Sequence, residues 1–186
     1  MALLAGGNIA NIERVQIATK DTQPKTYVFE TASNATFNAS VEQGTEVTQR
    51  VKNAIMGLIR TEDLVKGYDI ELEDQRLIME IFALIDGGTV TNKSGGGDWE
   101  KYASPAAGSP VTRTEFDMTL YTSDRDSDGG AIEYYAWKFA SCKGSPVSGG
   151  AKDDDFTTMK YTIKSRPAKG VSALELTRAE SLPEVT

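Results

Sequence analysis

The sequence predicts a mainly β fold with one short α-helix. We expect two packed antiparallel sheets, sandwich-like or barrel-like, flanked by the helix and carrying a long hairpin arm. Short runs rich in β-branched and aromatic residues recur between glycine, proline or polar clusters, which favours strands. Apolar residues recur at helical spacing in residues 77–85. At 186 residues, 39% of them hydrophobic, the chain is suited to a single domain, 1–186.

Seven further segments are predicted to be strands from their composition and their boundaries. They are residues 14–19, 26–31, 35–41, 112–122, 131–142, 156–165 and 171–177. Their spacing along the chain suggests a sandwich or a barrel. The segment 132–139 carries aromatic side chains on both faces, which indicates a strand that is covered twice. We therefore expect it at the centre of the sheet.

Residues 65–73 alternate between apolar and acidic side chains, which is typical of a strand with one buried face. The apolar face holds Tyr68, Ile70 and Leu72, and the other face holds Asp69, Glu71 and Glu73. A helix of about three turns is predicted to follow, its apolar stripe covering a sheet. Asp74 is placed to accept a first-turn N–H, and Gly87 suits the left-handed residue beyond the last turn.

Residues 44–64 are predicted to form the hairpin arm. The stretch 47–59 is strand-like, but its first half is kept polar by Thr48, Gln49, Arg50, Lys52 and Asn53. We interpret this polar arm as too long and too hydrophilic for an ordinary core. These five residues are therefore candidate contacts with another subunit.

Two loops and two terminal arms complete the predicted organisation. Residues 92–110 are rich in Gly, Ser, Ala and Pro and contain Trp99 and Tyr102, so we expect this loop to dock on its own domain or on another subunit. Residues 144–155 form a second polar, glycine-rich loop. Residues 1–13 and 178–186 are predicted to be N-terminal and C-terminal arms.

Charge and cysteine content narrow the function classes. Acidic residues outnumber basic ones by 27 to 20, giving a formal charge of -7, which disfavours a nucleic-acid-binding surface. Cys142 is the only cysteine, so an intrachain disulfide is excluded, and its position favours a small buried side chain. Residues 1–10 lack the basic start of a secretory signal, and no run could cross a bilayer. We expect a soluble product made in the cytoplasm.

One acidic turn resembles the opening of a calcium site. Asp124, Asp126 and Asp128 match the first ligands of an EF-hand loop. The match then ends, because Tyr135 occupies the place of the bidentate Glu and the nearest candidate, Glu133, comes two residues too early. The flanking segments are also predicted strands where an EF-hand has helices. An acidic hairpin turn is therefore the preferred interpretation, and no metal is predicted.

Catalysis is poorly supported by the residue types present. The chain has no histidine, which removes the commonest general base and any His-assisted nucleophile. Residues 95–97 are a glycine triplet, but they lack the Lys-Ser or Lys-Thr ending of a phosphate-binding loop. We therefore predict that the protein is not an enzyme, with no catalytic residues and no cofactor.

The order of several segments resembles a known family. From about residue 35 onward the chain reads "SVEQGTEVTQRVKNAIMGLIRTEDLVKGYDIELEDQRLIMEIFALIDGG", then a loop and two long strands, then "WKFASCKG" and "DDDFTTMKYTIKSRP". This order resembles the major tail tube proteins of bacteriophages with long tails. The resemblance lies in structural patterns and their sequence order, without a single chemical signature.

The resemblance implies a structural virion protein. Such subunits form hexameric rings that stack into a hollow tail tube, assembled in the host cytoplasm, through which the genome is delivered. The implied partners are copies of the chain itself, a tape-measure protein, a tail terminator and baseplate or tail-tip proteins. DNA would be non-adhesive cargo, because a lumen lined by carboxylates repels phosphates. Candidate lumen-facing acids are Asp69, Glu71 and Glu73.

Two alternatives stay open. The first is the inner tube of a contractile tail or of a phage-derived bacteriocin, which would also bind a sheath. The second is a monomeric, calcium-dependent β-sandwich module for adhesion or carbohydrate recognition, whose ligand site would combine Trp99, Tyr102 and the turn at 124–128. Stability that rises with calcium and loses this rise in Asp126→Ala would favour the second alternative.

Overall fold

The computed structural model describes residues 8–96, 98–125, 130–150, 153–154 and 156–185. Within these residues the elements are β1 (Ile9–Thr19), β2 (Thr26–Phe29), β3 (Ala32–Glu42), β4 (Glu46–Val51), β5 (Ala54–Arg60), β6 (Leu64–Asp74), α1 (Met79–Asp86), β7 (Thr89–Asn92), β8 (Trp99–Ala103), β9 (Phe116–Arg125), β10 (Ala131–Gly144), β11 (Ser148–Gly149), β12 (Met159–Ser165) and β13 (Leu174–Ala179). The prediction of a mainly β fold with one helix is confirmed.

One nine-stranded antiparallel sheet makes up most of the molecule. Its strands follow the order β2-β1-β9-β10-β12-β6-β3, with β11 added to β12 and β13 added to β10. β10 lies in the middle of this order, as its aromatic residues predicted. The sheet is not closed into a barrel in the described part of the chain, because β2 and β3 remain at its two ends. The pairs β4-β5 and β7-β8 form two small separate sheets.

The two packed layers are the two halves of this continuous sheet. The first part of β10 pairs with β9 and β13, whereas its last residues, Cys142 to Gly144, pair with β12. Between these stretches the register with β9 shifts, and Ser141 has a φ of 52°. A bulge of this kind bends and twists a strand, so the sheet can fold over on itself. One hydrophobic core then lies between the halves.

The core takes side chains from both halves and from the helix. Its fully buried members include Val15 and Ile17 of β1, Phe116 and Met118 of β9, Ile70 and Leu72 of β6, Tyr161 and Ile163 of β12, and Ile81 and Ile85 of α1. An aromatic group joins the halves, since the Phe37 ring on β3 lies 5.2 Å from the Phe139 ring and 5.4 Å from the Trp137 ring on β10. Burial of this apolar area is the main stabilising term of the fold.

The helix differs from its prediction at its start. It spans eight residues, about two turns, and begins after Ile78, whose side chain makes no capping hydrogen bond. Asp74 does not cap it, because Asp74 is still paired in β6 and accepts the backbone N–H of Arg76 at 3.1 Å instead. The predicted end is correct: Gly87 has a φ of 84° and donates its N–H to the Ala83 carbonyl at 2.8 Å.

The helix rests directly on the backbone of β10 at Gly144. A Cβ added there would lie 2.6 Å from the Ile85 Cα and would also overlap the Ile85 carbonyl. We therefore expect Gly144→Ala to push the helix away and to lower the free energy of unfolding by about 1–3 kcal/mol. Urea unfolding followed by circular dichroism measures this loss.

Gly150→Ala is the matched control for Gly144→Ala. A Cβ at Gly150 meets nothing within 4 Å, and the residue does not have a left-handed φ. The free energy of unfolding of this variant should match that of the unchanged chain or exceed it slightly. Equal stability of the two variants would show that the contact between α1 and β10 can relax without cost.

The hairpin β7-β8 was not predicted. β8 lies inside the loop predicted at 92–110, a prediction that was based on the Gly, Ser, Ala and Pro content of that segment. β7 supplies the backbone partner, with Val90 opposite Tyr102. β9 also begins later than predicted, at Phe116, and β12 begins at Met159.

Candidate assembly surface

The hairpin β4-β5 projects from the body of the molecule as a sheet of its own. At its base the Gly44 N–H donates to Asp63 Oδ1 at 2.8 Å, and the Thr45 N–H donates to Thr61 Oγ1 at 2.7 Å. The turn follows Val51 and includes Lys52, whose φ is 55°. These hydrogen bonds join the two sides of the arm at its base, while nearly all of its side chains are exposed.

The exposed side chains of the hairpin are largely apolar. Six large apolar side chains are between 52% and 69% exposed: Val47, Val51, Ile55, Met56, Leu58 and Ile59. The predicted polar residues Thr48, Gln49 and Arg50 lie on β4, and Lys52 and Asn53 lie in the turn. Our interpretation of the arm as polar is therefore wrong for β5. Exposure of this many large apolar side chains on one short hairpin indicates an interaction site.

The charge of the hairpin is opposite to that of the whole chain. Glu46 is its single acidic residue, against the basic residues Arg50, Lys52 and Arg60, so β4-β5 has a formal charge of +2 in a chain of -7. Glu46 and Arg60 face each other across the first pair of the ladder. This positive charge is local to β4-β5, because Glu62 and Asp63 at the base make the whole arm, residues 44–64, formally neutral.

The strand β3 is an edge whose protection is limited to irregularities of the ladder near its two ends. It pairs with β6 along its whole length, from Ala32 opposite Asp74 to Glu42 opposite Leu64. Its other side pairs with no strand among the described residues. Its eleven residues include no Pro and no Lys, and Glu42 is its single charged residue. Soluble proteins commonly block long edges with such residues, because an open edge pairs with other chains.

The acidic face of β6 is balanced by basic residues. Asp69 binds Arg166 with an N–O distance of 2.7 Å, and Glu73 binds Lys160 at 2.7 Å. The Glu73 hydrogen bond raises the pKa of Lys160, to which the Glu71 carboxylate adds. The strand β12 also places Lys164 opposite Asp69. The three acids therefore share their face with three cations, which the sequence pattern of β6 alone did not indicate.

A groove runs between α1 and β8, and we call it the helix groove. Its apolar lining consists of Leu77, Met79, Phe82, Trp99, Val147 and Met159. Tyr102, from the predicted loop, packs edge-on against the Phe82 ring at 4.9 Å, so this part of the loop docks on its own domain. Trp99 remains 44% exposed.

The end of α1, at Asp86, is tied to β8 and to two loops. Its carboxylate accepts hydrogen bonds from the Tyr102 hydroxyl and from the Val147 N–H, the latter at 3.0 Å. The Arg113 guanidinium donates to the Ile85 and Asp86 carbonyls at 3.2 and 3.1 Å, which satisfies the C-terminal carbonyls of the helix. Burial, with Asp86 adding to it, raises the pKa of Tyr102. No local sequence pattern indicates that the Asp86 carboxylate is buried.

The candidate calcium residues are only partly described. Asp126 and Asp128 lie outside the described residues. Asp124 accepts the Asn8 N–H at 2.6 Å through Oδ1 and the Tyr135 hydroxyl at 3.2 Å through Oδ2. Both of its carboxylate oxygens thus serve hydrogen bonds within the protein. No cluster of three potential metal ligands occurs among the residues that the structure places.

Cys142 is fully buried in the core, and burial raises the pKa of its thiol from 9.0 to about 12. The thiolate is the reactive form, so we expect the native chain to react with a thiol reagent at pH 8 only as fast as it unfolds. Burial also raises the pKa of Tyr161. These groups hold their protons more tightly when folded, so stability should fall as the pH rises from 9 towards 12.

Two measurements check these expectations for Cys142. Labelling by a chromogenic disulfide reagent should be complete within seconds in denaturant and should be very slow in its absence. Urea unfolding at pH 8, 9, 10 and 11 should give a midpoint that decreases at each step above pH 9. Rapid native labelling at pH 8, or an unchanged midpoint at pH 11, would contradict the role assigned to burial.

Comparisons with known proteins give a limited result. No protein-family model matches the chain, and no curated protein matches it. A chain in the six-fold symmetrised cryo-EM structure of the anti-feeding prophage baseplate aligns with it at a TM-score of 0.44 and 8% identity, covering 94% of this chain and 97% of that chain. No described helix is long and apolar enough to span a membrane. Similarity at this TM-score assigns no function to the chain.

Proposed function

We propose that the chain is a structural subunit that assembles with copies of itself into hexameric rings, which stack into the tail tube of a long-tailed phage. The observation that carries this proposal is the projecting hairpin β4-β5 with its six exposed large apolar side chains. Such an arm does not stabilise a monomer, because a two-stranded hairpin in water is marginally stable and exposure of its apolar area to water is unfavourable. An assembled subunit buries that area.

The magnitudes favour repeated contacts over a single one. Burial of the exposed part of one such side chain contributes about 1–2 kcal/mol, so the six together contribute about 6–12 kcal/mol. Association of two proteins costs about 4–15 kcal/mol in lost freedom and ordering. The arm alone therefore gives weak pairing. A ring in which every subunit both donates an arm and accepts one doubles the number of contacts per subunit.

The open edge of β3 supplies a second kind of contact. A strand from a neighbouring copy that pairs with β3 would extend the sheet from one subunit to the next. Repeated around a ring, this pairing gives a continuous wall, and the heterologous contact closes after a fixed rotation. Both surfaces agree with the tail tube resemblance of the sequence.

The lumen-facing role of Asp69, Glu71 and Glu73 stays part of this proposal. Because Arg166 and Lys160 neutralise two of these acids, repulsion of DNA from this face is weaker than three free carboxylates would give. A charge-balanced wall still binds DNA poorly, since few counterions are released from the phosphates. The genome would therefore pass as non-adhesive cargo whether the three acids are free or partly neutralised. The proposed partners at the bore and the ends of the tube are tape-measure, terminator and baseplate or tail-tip proteins.

Negative-stain electron microscopy of the concentrated protein, together with its mass from light scattering, tests the proposal. Rings or hollow tubes with sixfold views are the expected result, without added calcium. A strict monomer at every concentration, stabilised by calcium, would overturn the proposal in favour of the calcium-dependent binding module. Binding of a sheath protein to the outside of the tubes would identify the inner tube of a contractile tail.

A further inference from the structure

We infer that the hairpin β4-β5 of one subunit docks in the helix groove of a second copy. This inference rests on the proposed self-assembly and names the acceptor that it requires. β5 would lie between α1 and β8 of the neighbour, with its apolar side chains against the apolar lining of the groove.

The two surfaces match in polarity. Glu100 and Lys101 are the charged residues that line the helix groove, and the rest of its lining is apolar, aromatic or glycine. Leu77 and Trp99 are 43% and 44% exposed, so part of the apolar lining is open to solvent. A β-ribbon two strands wide presents apolar side chains from both strands, as Val47 and Ile59 are paired here. In the complex, the groove of one copy would cover apolar area of the hairpin of the other copy that is exposed in the isolated chain.

Both acidic and basic residues border the helix groove. Glu100 and Lys101 line it, and an adjoining groove that shares Leu77, Met79 and Trp99 adds Glu80 and Asp98 against Arg76. The two grooves together have an excess of one acid, which gives a weak attraction to the local +2 of β4-β5.

Two other grooves are less suitable. The groove between β1 and β3, lined by Ile9, Phe37 and Trp137 among others, has no charged lining residue. The groove beside residues 167–174 contains Glu42 against Lys66 and Lys169, an excess of base that would weakly repel β4-β5. The helix groove therefore fits the hairpin in both polarity and charge.

Cysteine cross-linking tests the assignment in the full chain. Met56 on β5 is 67% exposed and Leu77 at the groove is 43% exposed, so Met56→Cys and Leu77→Cys should both leave the fold intact, which circular dichroism verifies. The native Cys142 is buried and does not compete. A short bis-maleimide reagent is added to an equal mixture of the two single variants at a concentration where the chain associates.

The expected product is a covalent dimer that joins one chain of each variant. Its yield should exceed by about tenfold that of a control mixture of Met56→Cys with Ile9→Cys, because docking holds the two thiols at a high effective concentration. Ile9 is a matched control, since it lines the β1-β3 groove and is 49% exposed.

Each other outcome overturns the assignment. If the chains associate but the Ile9→Cys mixture cross-links as well or better, the acceptor is wrong and the proposed self-assembly stands. If the double variant Met56→Cys/Leu77→Cys cross-links within one chain only, the hairpin docks on its own body. If the chains do not associate at any concentration and no mixture cross-links, both the assignment and the proposed function fail.

Discussion

Replacing residues 48–58 by Asn-Gly is expected to leave a folded subunit that forms neither rings nor tubes. Val47 and Ile59 are a register pair, so a two-residue Asn-Gly turn can close the shortened hairpin directly above them. The removed residues contribute nothing to the hydrophobic core cluster. The free energy of unfolding should therefore change by less than about 0.5 kcal/mol, as for surface changes in general. Circular dichroism, light scattering and electron microscopy measure folding and assembly separately.

A finer comparison separates the apolar surface from the shape of the arm. Ile55 and Leu58 are both exposed on β5, at 61% and 58%. We compare the double variant Ile55→Thr/Leu58→Thr with its isosteric counterpart Ile55→Val/Leu58→Val. Both place β-branched side chains, which suit a strand, at the two positions. We expect the Thr variant to assemble weakly and the Val variant to assemble normally. Normal tubes from the shortened chain, or equal assembly by the Thr and Val variants, would contradict the role of the hairpin.

The parts of the fold that the sequence predicted best have strict local patterns. The alternation of residues 65–73 identified β6 and its buried face, and Gly87 identified the end of the helix. These signals are local, because period and left-handed caps depend on neighbouring residues only. The central position of β10 was predicted from the aromatic residues on both of its faces.

The parts that the sequence did not predict depend on tertiary context. The run from Ala54 to Ile59 is apolar, and from the sequence alone nothing distinguishes an apolar run in the core from one that projects into solvent. β8 mixes residues of high and low strand propensity, and its pairing with β7 and the contact of Tyr102 with Phe82 stabilise it as a strand. In the sequence, Asp86 is an acidic residue that precedes a glycine pair, with no sign that it is buried. Its importance arises from Tyr102, sixteen residues further on, and from Val147, sixty-one residues further on.

Phe139→Ala should be among the most destabilising single substitutions in the chain. Phe139 is fully buried at the point where β10 passes from one half of the sheet to the other. Its ring lies 5.2 Å from the Phe37 ring and 5.7 Å from the Tyr68 ring, so it bridges β10 to β3 and β6. Removal of a buried Phe ring costs about 3–5 kcal/mol, which is a large share of the ~5–15 kcal/mol that stabilises a typical domain.

This loss is best measured in the shortened-hairpin chain. Assembly stabilises the folded state by mass action, so a full-length chain in tubes would hide part of a folding defect. In the monomeric background, urea unfolding of Phe139→Ala and of the conservative Phe139→Leu reports folding alone. The Leu variant should lose markedly less, because it leaves a smaller cavity between the halves. If both variants lost less than about 1 kcal/mol, the two halves of the sheet would not depend on this aromatic contact, and the core would relax around the gap.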